Sequence, residues 1–293
     1  MVDPGGVVCR HELTDQEREL FTPLVPRAKT GRPRVEDRRV INGMVYKIRT
    51  GISWRDLPER YGPWKTVYTR FRRYALDGLF TRALQQMQAR ADAAGDIDWL
   101  VQIDSTIVRA HQHAAATGRK RGTLRQDEPD DHVFGRSRGG LTTKIHLACD
   151  GQGRPLAVML TAGQRHDGVC ARPLLERIRV PRSGRGRPRC RPDHVVADTA
   201  YASRGFRAYL RKRGISHTIP EKRDQQRHRR NRGRDGGRPP RFDPDIYRRR
   251  NTVERCFNQL KNSDGIATRY DKTATSYEAA VCLASFLLWA RSV

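Results

Sequence analysis

Hydrophobic spacing divides the chain into a helical first third and an alternating α/β remainder. Leu13-Thr14-Asp15-Gln16-Glu17 carries a helix-start signature, with Thr14 as the cap and Glu17 three residues on. From Val35 to Arg49, Val40, Ile41, Met44, Val45 and Ile48 recur at three-to-four spacing until Gly51 stops the pattern. Ser53 to Pro58 reads as a short helical turn, and Gly62-Pro63 breaks the chain again. A third helix is expected over Trp64 to Leu76, with Lys65, Arg70, Arg72 and Arg73 beside Val67, Phe71 and Ala75. Short helices, tight turns and a basic last helix predict a helix-turn-helix-like module over residues 1–95, with those four cations facing DNA; an ordinary helical bundle with a solvated basic face would show the same pattern.

From Trp99 the period changes. Leu100 to Ile103 reads as a strand running into Asp104. Leu141, Thr143, Ile145, Leu147 and Cys149 alternate, and Asp150-Gly151-Gln152-Gly153 turns the chain into Leu156 to Leu160, which predicts a hairpin. Helices are expected at Arg172–Ile178, Ser203–Arg213 and Pro244–Asn262, and a last apolar helix, Tyr277–Ala290, should pack on the core. His194 to Ala197 is a short strand ending at Asp198, and Ser216 to Ile219 is strand-like. The remainder, residues 96–293, is thus an α/β domain with a mixed sheet flanked by helices. Thr117–Asp131, Val180–Arg191 and Glu221–Arg241 read as loops, because their Arg, Gly and Pro content cannot build a core.

Charge narrows the partners. Lys and Arg number 58 against 32 Asp and Glu, a formal net charge of +26 in 293 residues. Such a surface attracts a polyanion, since neutralising phosphates releases condensed counterions. An acidic membrane surface is the other partner of that charge, and Arg-rich coding is the bland cause. No apolar run approaches the roughly 20 residues of a membrane span, and the first residues lack a signal-peptide pattern. The expectation is a soluble, cytoplasmic, nucleoid-associated protein with no membrane partner and no small-molecule substrate. Cys9, Cys149, Cys170, Cys190, Cys256 and Cys282 form no CxxC pair, so neither zinc nor a disulfide framework is expected. His111-x-His113 lacks further ligands at a usual spacing and is read as loop.

Candidate chemistry lies in three carboxylates. Pairing the first strand with the fourth would bring Asp104 and Asp198 to one crevice, where open α/β sheets place their sites. On the late helix, at 100° per residue, Tyr247, Arg250, Glu254 and Lys261 fall in a stripe about 60° wide, beside the apolar Ile246, Val253, Phe257 and Leu260. Salt-bridge periodicity on an exposed helix would produce the same stripe. Asp150 and Asp167 are rival carboxylates: the first suits a hairpin turn, the second, with His166, a supporting place beside the site.

These residues resemble a family. Tyr247-x2-Arg250-x3-Glu254-x6-Lys261 is similar to the Y-R-E-K signature of the DDE transposases of bacterial insertion sequences, the insertion sequence 5 branch above all. Val101 to Thr106 and Val196 to Tyr201 look like the motifs around its two catalytic aspartates, and Gly139 to His146, with Lys144, Ala162 to Asp167 and Gly51 to Pro58 also resemble that group. The resemblance implies an RNase H-like catalytic domain behind a small helical DNA-binding domain. It implies that Asp104, Asp198 and Glu254 hold two divalent ions, magnesium or manganese in its place, because converging carboxylates raise one another's pKa unless cations sit between them. By the same resemblance, water first frees a 3′-hydroxyl at the element end, and that hydroxyl then attacks target DNA. Tyr247, Arg250, Lys261 and Lys144 would contact double-stranded DNA, at transposon ends or target, within a complex at least dimeric. A non-catalytic DNA-binding relative and a structure-selective nuclease of the same fold are the alternatives.

Overall fold

The computed structural model describes residues 11–26, 35–115, 132–137 and 140–292. Cys9, Gly139 and the Thr117–Asp131 stretch lie outside them. In chain order the helices are α1 (Asp15–Phe21), α2 (Asp37–Thr50), α3 (Trp64–Leu76), α4 (Leu79–Ala93), α5 (Gln112–Ala115), α6 (Asp167–Glu176), α7 (Arg204–Lys212), α8 (Arg223–Asn231), α9 (Pro244–Arg248), α10 (Asn251–Lys261), α11 (Asp264–Ala267) and α12 (Ala274–Ala290). The strands are β1 (Leu100–Ala110), β2 (Gly135–Ser137), β3 (Gly140–Cys149), β4 (Pro155–Ala162), β5 (His194–Val196), β6 (Ser216–Thr218) and β7 (Thr268–Arg269). Their order in the sheet is β2-β3-β1-β5-β6, with β4 on β3 and β7 on β1. Without the short β2, the first five strands lie third-second-first-fourth-fifth, the mixed sheet expected of an RNase H-like domain.

Two compact units divide the chain, one of residues 1–87, 108–143 and 259–293, the other of residues 88–107 and 144–258. In the first, helix ends follow from local chemistry. Thr14 and Glu17 form the reciprocal capping box that starts α1. Gly51 takes φ 68°, the left-handed conformation that ends α2 at little cost only in glycine. Helix α12 packs against α1, α2, α3 and α11. Its Phe286 meets Phe21 edge-on at 5.4 Å, and Phe80 joins Phe21 and Phe71 at 6.1 and 5.5 Å. Each such side chain contributes roughly 1.5–3 kcal/mol by leaving water. Arg269 is fully buried, bonded to the carbonyls of Asp271 and Lys272 and to Thr143 Oγ1, with its guanidinium 3.8 Å from the Phe134 ring centre.

In the second unit, Val101, Ile103, Val195, Val196 and Leu147 are wholly buried in the sheet. The hairpin forms as its turn residues predict. Asp150 is buried in it and accepts from the Arg154 backbone and guanidinium (2.8–2.9 Å, and 2.7 Å from Nη2), which satisfies its charge. The structure departs from four expectations. Strand β1 does not end at Asp104 but runs six residues further, through the β-branched Thr106, Ile107 and Val108. The Glu221–Arg241 stretch is not all loop, since α8 occupies Arg223–Asn231, a run without glycine or proline. The Pro244–Asn262 helix is two helices. Between them the backbone bonds tighten to three-residue spacing, Arg250 N to Tyr247 O and Val253 N to Arg250 O. Helix α6 begins five residues before the expected start, capped by His166. Among the described residues no helix is long and apolar enough to cross a membrane. Cys149, Cys170, Cys256 and Cys282 are buried free thiols.

Candidate active site

Strands β1 and β5 pair in parallel, with Gln102 opposite Val196. Asp104, still on β1, and Asp198, just past the end of β5, each lie two residues beyond that pair, and the charge of Asp198 reaches Asp104. Side chains two apart on a strand share a face, and Gln102 shows which one. Its Oε1 accepts from the backbone N–H of Val253 at 3.0 Å, tying the first turn of α10 to β1. Asp104 therefore points to the side where α10 begins, and Glu254 is the residue after the tether. Gln102 lies within the Val101–Thr106 motif, but nothing in the sequence marks it as the tether to α10.

Arg250 closes the arrangement. Its Nη1 is 3.1 Å from Asp104 Oδ2 and its Nη2 is 2.5 Å from Glu254 Oε1, so one guanidinium bridges two carboxylates. Burial raises the Asp104 carboxyl to about 6; the Ser105 N–H and Arg250 oppose the rise, and the charges of Asp198 and Glu254 add to it. Asp198 accepts from Ala200 N at 2.8 Å, capping a one-turn 3-10 helix. Tyr247, on α9, is raised by burial above all and by the same three carboxylates, with Arg250 opposing, which keeps its phenol protonated and able to donate. Lys261 lies in the last turn of α10, its ammonium pKa lowered by burial.

Beside Asp104 stands a second polar cluster. Ser105 Oγ donates to Asp167 Oδ1 at 2.7 Å, and Lys144 Nζ reaches the same oxygen at 2.9 Å and Arg165 O at 2.8 Å. Lys144 is only 8% exposed, so its ammonium serves a buried pair and is not presented to solvent DNA. Burial alone would raise Asp167, but the hydrogen bonds from Ser105 and Lys144 outweigh it and lower the pKa. His146, fully buried with Nε2 2.8 Å from Thr161 Oγ1, is lowered to about 4 by burial. Of the four cations expected to face DNA on α3, Arg70 is buried and bonded to Asp37 and Val35 O, Arg72 is half-exposed, and Lys65 and Arg73 are exposed.

Among the described residues no group of three or more His, Cys, Asp and Glu is gathered closely enough to hold a metal ion. The donor chemistry nevertheless fits a hard divalent cation: three carboxylates feel one another's charge, and a guanidinium occupies a cation's place between two of them.

A family model described as "Putative transposase of IS4/5 family" matches residues 13–84, and one described as "Transposase DDE domain" matches residues 97–289. A putative transposase for insertion sequence element IS6501 of Brucella ovis is 31% identical over 151 residues, 52% of this chain and 100% of that protein. A putative transposase for insertion sequence element IS402 of Burkholderia cepacia is 39% identical over 90 residues, 31% of this chain and 42% of that protein. Among solved structures, the Mos1 strand transfer complex aligns over 91% of this chain and 81% of its own, at 10% identity and a TM-score of 0.26.

Proposed function

This chain belongs to the IS4/5-type DDE transposase family, and from that premise we propose that it binds the ends of its insertion sequence and cuts and rejoins DNA strands at Asp104, Asp198 and Glu254. The observation that supports the reading is the placing of Asp104 on β1 and Asp198 just past its parallel neighbour β5, with Glu254 tied beside Asp104 through Gln102 and Arg250. The three carboxylates would hold two divalent cations, magnesium or manganese. Bound there, such ions activate an attacking oxygen and stabilise a leaving one in an in-line displacement.

The chain's own residues have the remaining tasks. Gln102 holds α10 against β1, so that Glu254 keeps its place. Asp167, anchored by Lys144, orients Ser105, whose N–H bonds Asp104 Oδ1 at 2.8 Å and fixes that carboxylate's rotation. Arg250 and Tyr247 offer donors to a DNA phosphate at the same edge, and Lys261, Lys65, Arg72 and Arg73 add charge along the duplex. Two ends held together call for at least two copies of the chain. The nucleophiles are water, then the 3′-hydroxyl it frees, so no covalent protein–DNA link forms.

The experiment is Glu254→Gln, tested on DNA carrying the terminal repeats that flank the coding region. Loss of metal-dependent strand cleavage with retained end binding is expected. Cleavage at the wild-type rate would refute the assignment, and binding without cleavage by the wild-type protein would favour a non-catalytic relative.

A further inference from the structure

Helices α7 and α8 and the turn after them line an open cavity of about 490 Å³ built from none of the three carboxylates. Arg204, Arg207, Arg211, Arg229, Arg232 and Arg238 line it, against Glu221 and Asp224. The carboxylates do not balance the arginines. Glu221 is taken by Arg229, whose Nε and Nη2 reach its two oxygens at 3.2 and 2.8 Å. That pair braces the wall, and Gly236 closes it, because a Cβ there would stand 2.1 Å from the Arg229 carbonyl oxygen.

Arg207 marks the floor. It is 6% exposed, and its Nη2 donates to the carbonyls of Ile219 and Pro220 at 2.9 and 3.2 Å. Its Nη1 is buried without a hydrogen-bond partner. A buried guanidinium N–H lacking an acceptor is costly, and burial disfavours the charge further, with Glu221 offsetting part and Arg211 adding to it. An anion in the cavity would offset the charge penalty, and arginine forks match phosphate oxygens in parallel pairs. The volume falls within the roughly 300–1,000 Å³ of ligand-sized sites, so it admits a phosphate with its attached sugar.

We propose that this arginine-lined cavity is a phosphate-binding site that takes the DNA backbone, a clamp separate from the cutting site. The inference rests on the reading of DNA as the partner. It explains why the segment Arg223–Arg238 is folded into α8 and a closed turn although its composition cannot build a core.

The test is fluorescence anisotropy of the full chain on a terminal-repeat duplex, in EDTA so that no strand is cut, across a series of salt concentrations. The double variant Arg211→Gln/Arg232→Gln is compared with Arg223→Gln/Arg227→Gln, two α8 arginines that do not line the cavity. Each lost phosphate contact lowers the slope of log K against log salt by about 0.9, so the cavity pair should lose about 2 and the outer pair well under 1. Equal losses in the two doubles overturn the proposal. So does an unchanged slope in the cavity double, even if calorimetry shows it losing inorganic phosphate binding, since the site would then serve a free anion. A wild-type chain that ignores the duplex would instead overturn the transposase reading as well. Circular-dichroism melts check the fold; should the cavity double melt early, Arg232→Gln alone, at an exposed side chain, should lower the slope by about 1.

Discussion

The guanidinium of Arg250 lies 3.1 Å from Asp104 and bonds Glu254 with its other nitrogen, so the cation between these carboxylates comes from the chain itself. Arg250→Ala should therefore lower stability in EDTA by about 1–2 kcal/mol, between the values for exposed and buried pairs. The loss should shrink when millimolar magnesium is added, while Arg250→Lys should keep most of the wild-type melting temperature. Thermal melts with and without metal check this, and a metal-independent deficit would contradict it.

Asp167 balances a buried ammonium. Asp167→Asn leaves Lys144 with neutral acceptors only and no opposite charge, at an expected cost of about 2–3 kcal/mol, below the roughly 3–5 of a fully buried pair because Asp167 is partly exposed. Urea denaturation measures it. The double variant Lys144→Met/Asp167→Asn should recover part of the loss, because no unpaired charge then remains.

His146 sets a pH dependence. Its folded pKa, about 4, lies below the ordinary value of 6.5, so the unfolded chain binds the proton first as pH falls. The stability it preserves is full above the ordinary value and is lost progressively as pH falls from there toward 4, by about 2 kcal/mol at pH 5. His146→Gln should remove that part of the dependence. Unfolding free energies of both proteins at pH 7 and pH 5 decide it, and parallel losses would refute the assignment.

Gln102 positions Glu254 without touching DNA. Gln102→Leu removes the tether and leaves the Val253 N–H with only its longer bond to the Arg250 carbonyl, at about 1 kcal/mol, and should depress the cleavage rate more than the affinity for ends. Equal falls in both would mean a general loss of structure.

Much of this was legible in the residues. Thr14 with Glu17, Gly51 and Gly62-Pro63 marked helix boundaries because caps and breakers act locally. Two aspartates after short apolar runs pointed to paired strands, and those runs do pair in parallel. What was not legible depends on tertiary partners. The three-to-four spacing runs straight through Arg249 and Arg250, which are good helix formers. The joint there accompanies Arg249 reaching Asp98 and Arg250 reaching Asp104, both 146 or more residues away. The resemblance of Gly139 to His146 implies a DNA contact for Lys144, and alternation along the strand gives no sign that its face is covered. Both faces of β3 are buried, so Thr142, Lys144 and His146 needed partners inside the protein, and Asp167 and Thr161 provide them for the last two. The Arg223–Asn231 run hid its helix behind its charge, although it holds neither glycine nor proline.

The tether from Gln102 ends on a main-chain N–H, which every residue but proline carries. The identity of residue 253 is thus irrelevant to that bond and answers only to packing, whereas shortening the side chain at 102 by one carbon would pull the acceptor out of reach. Alignment of strand with helix is encoded at a single address, and a swap as mild as Gln102→Asn would misplace an acid that sits 152 positions later.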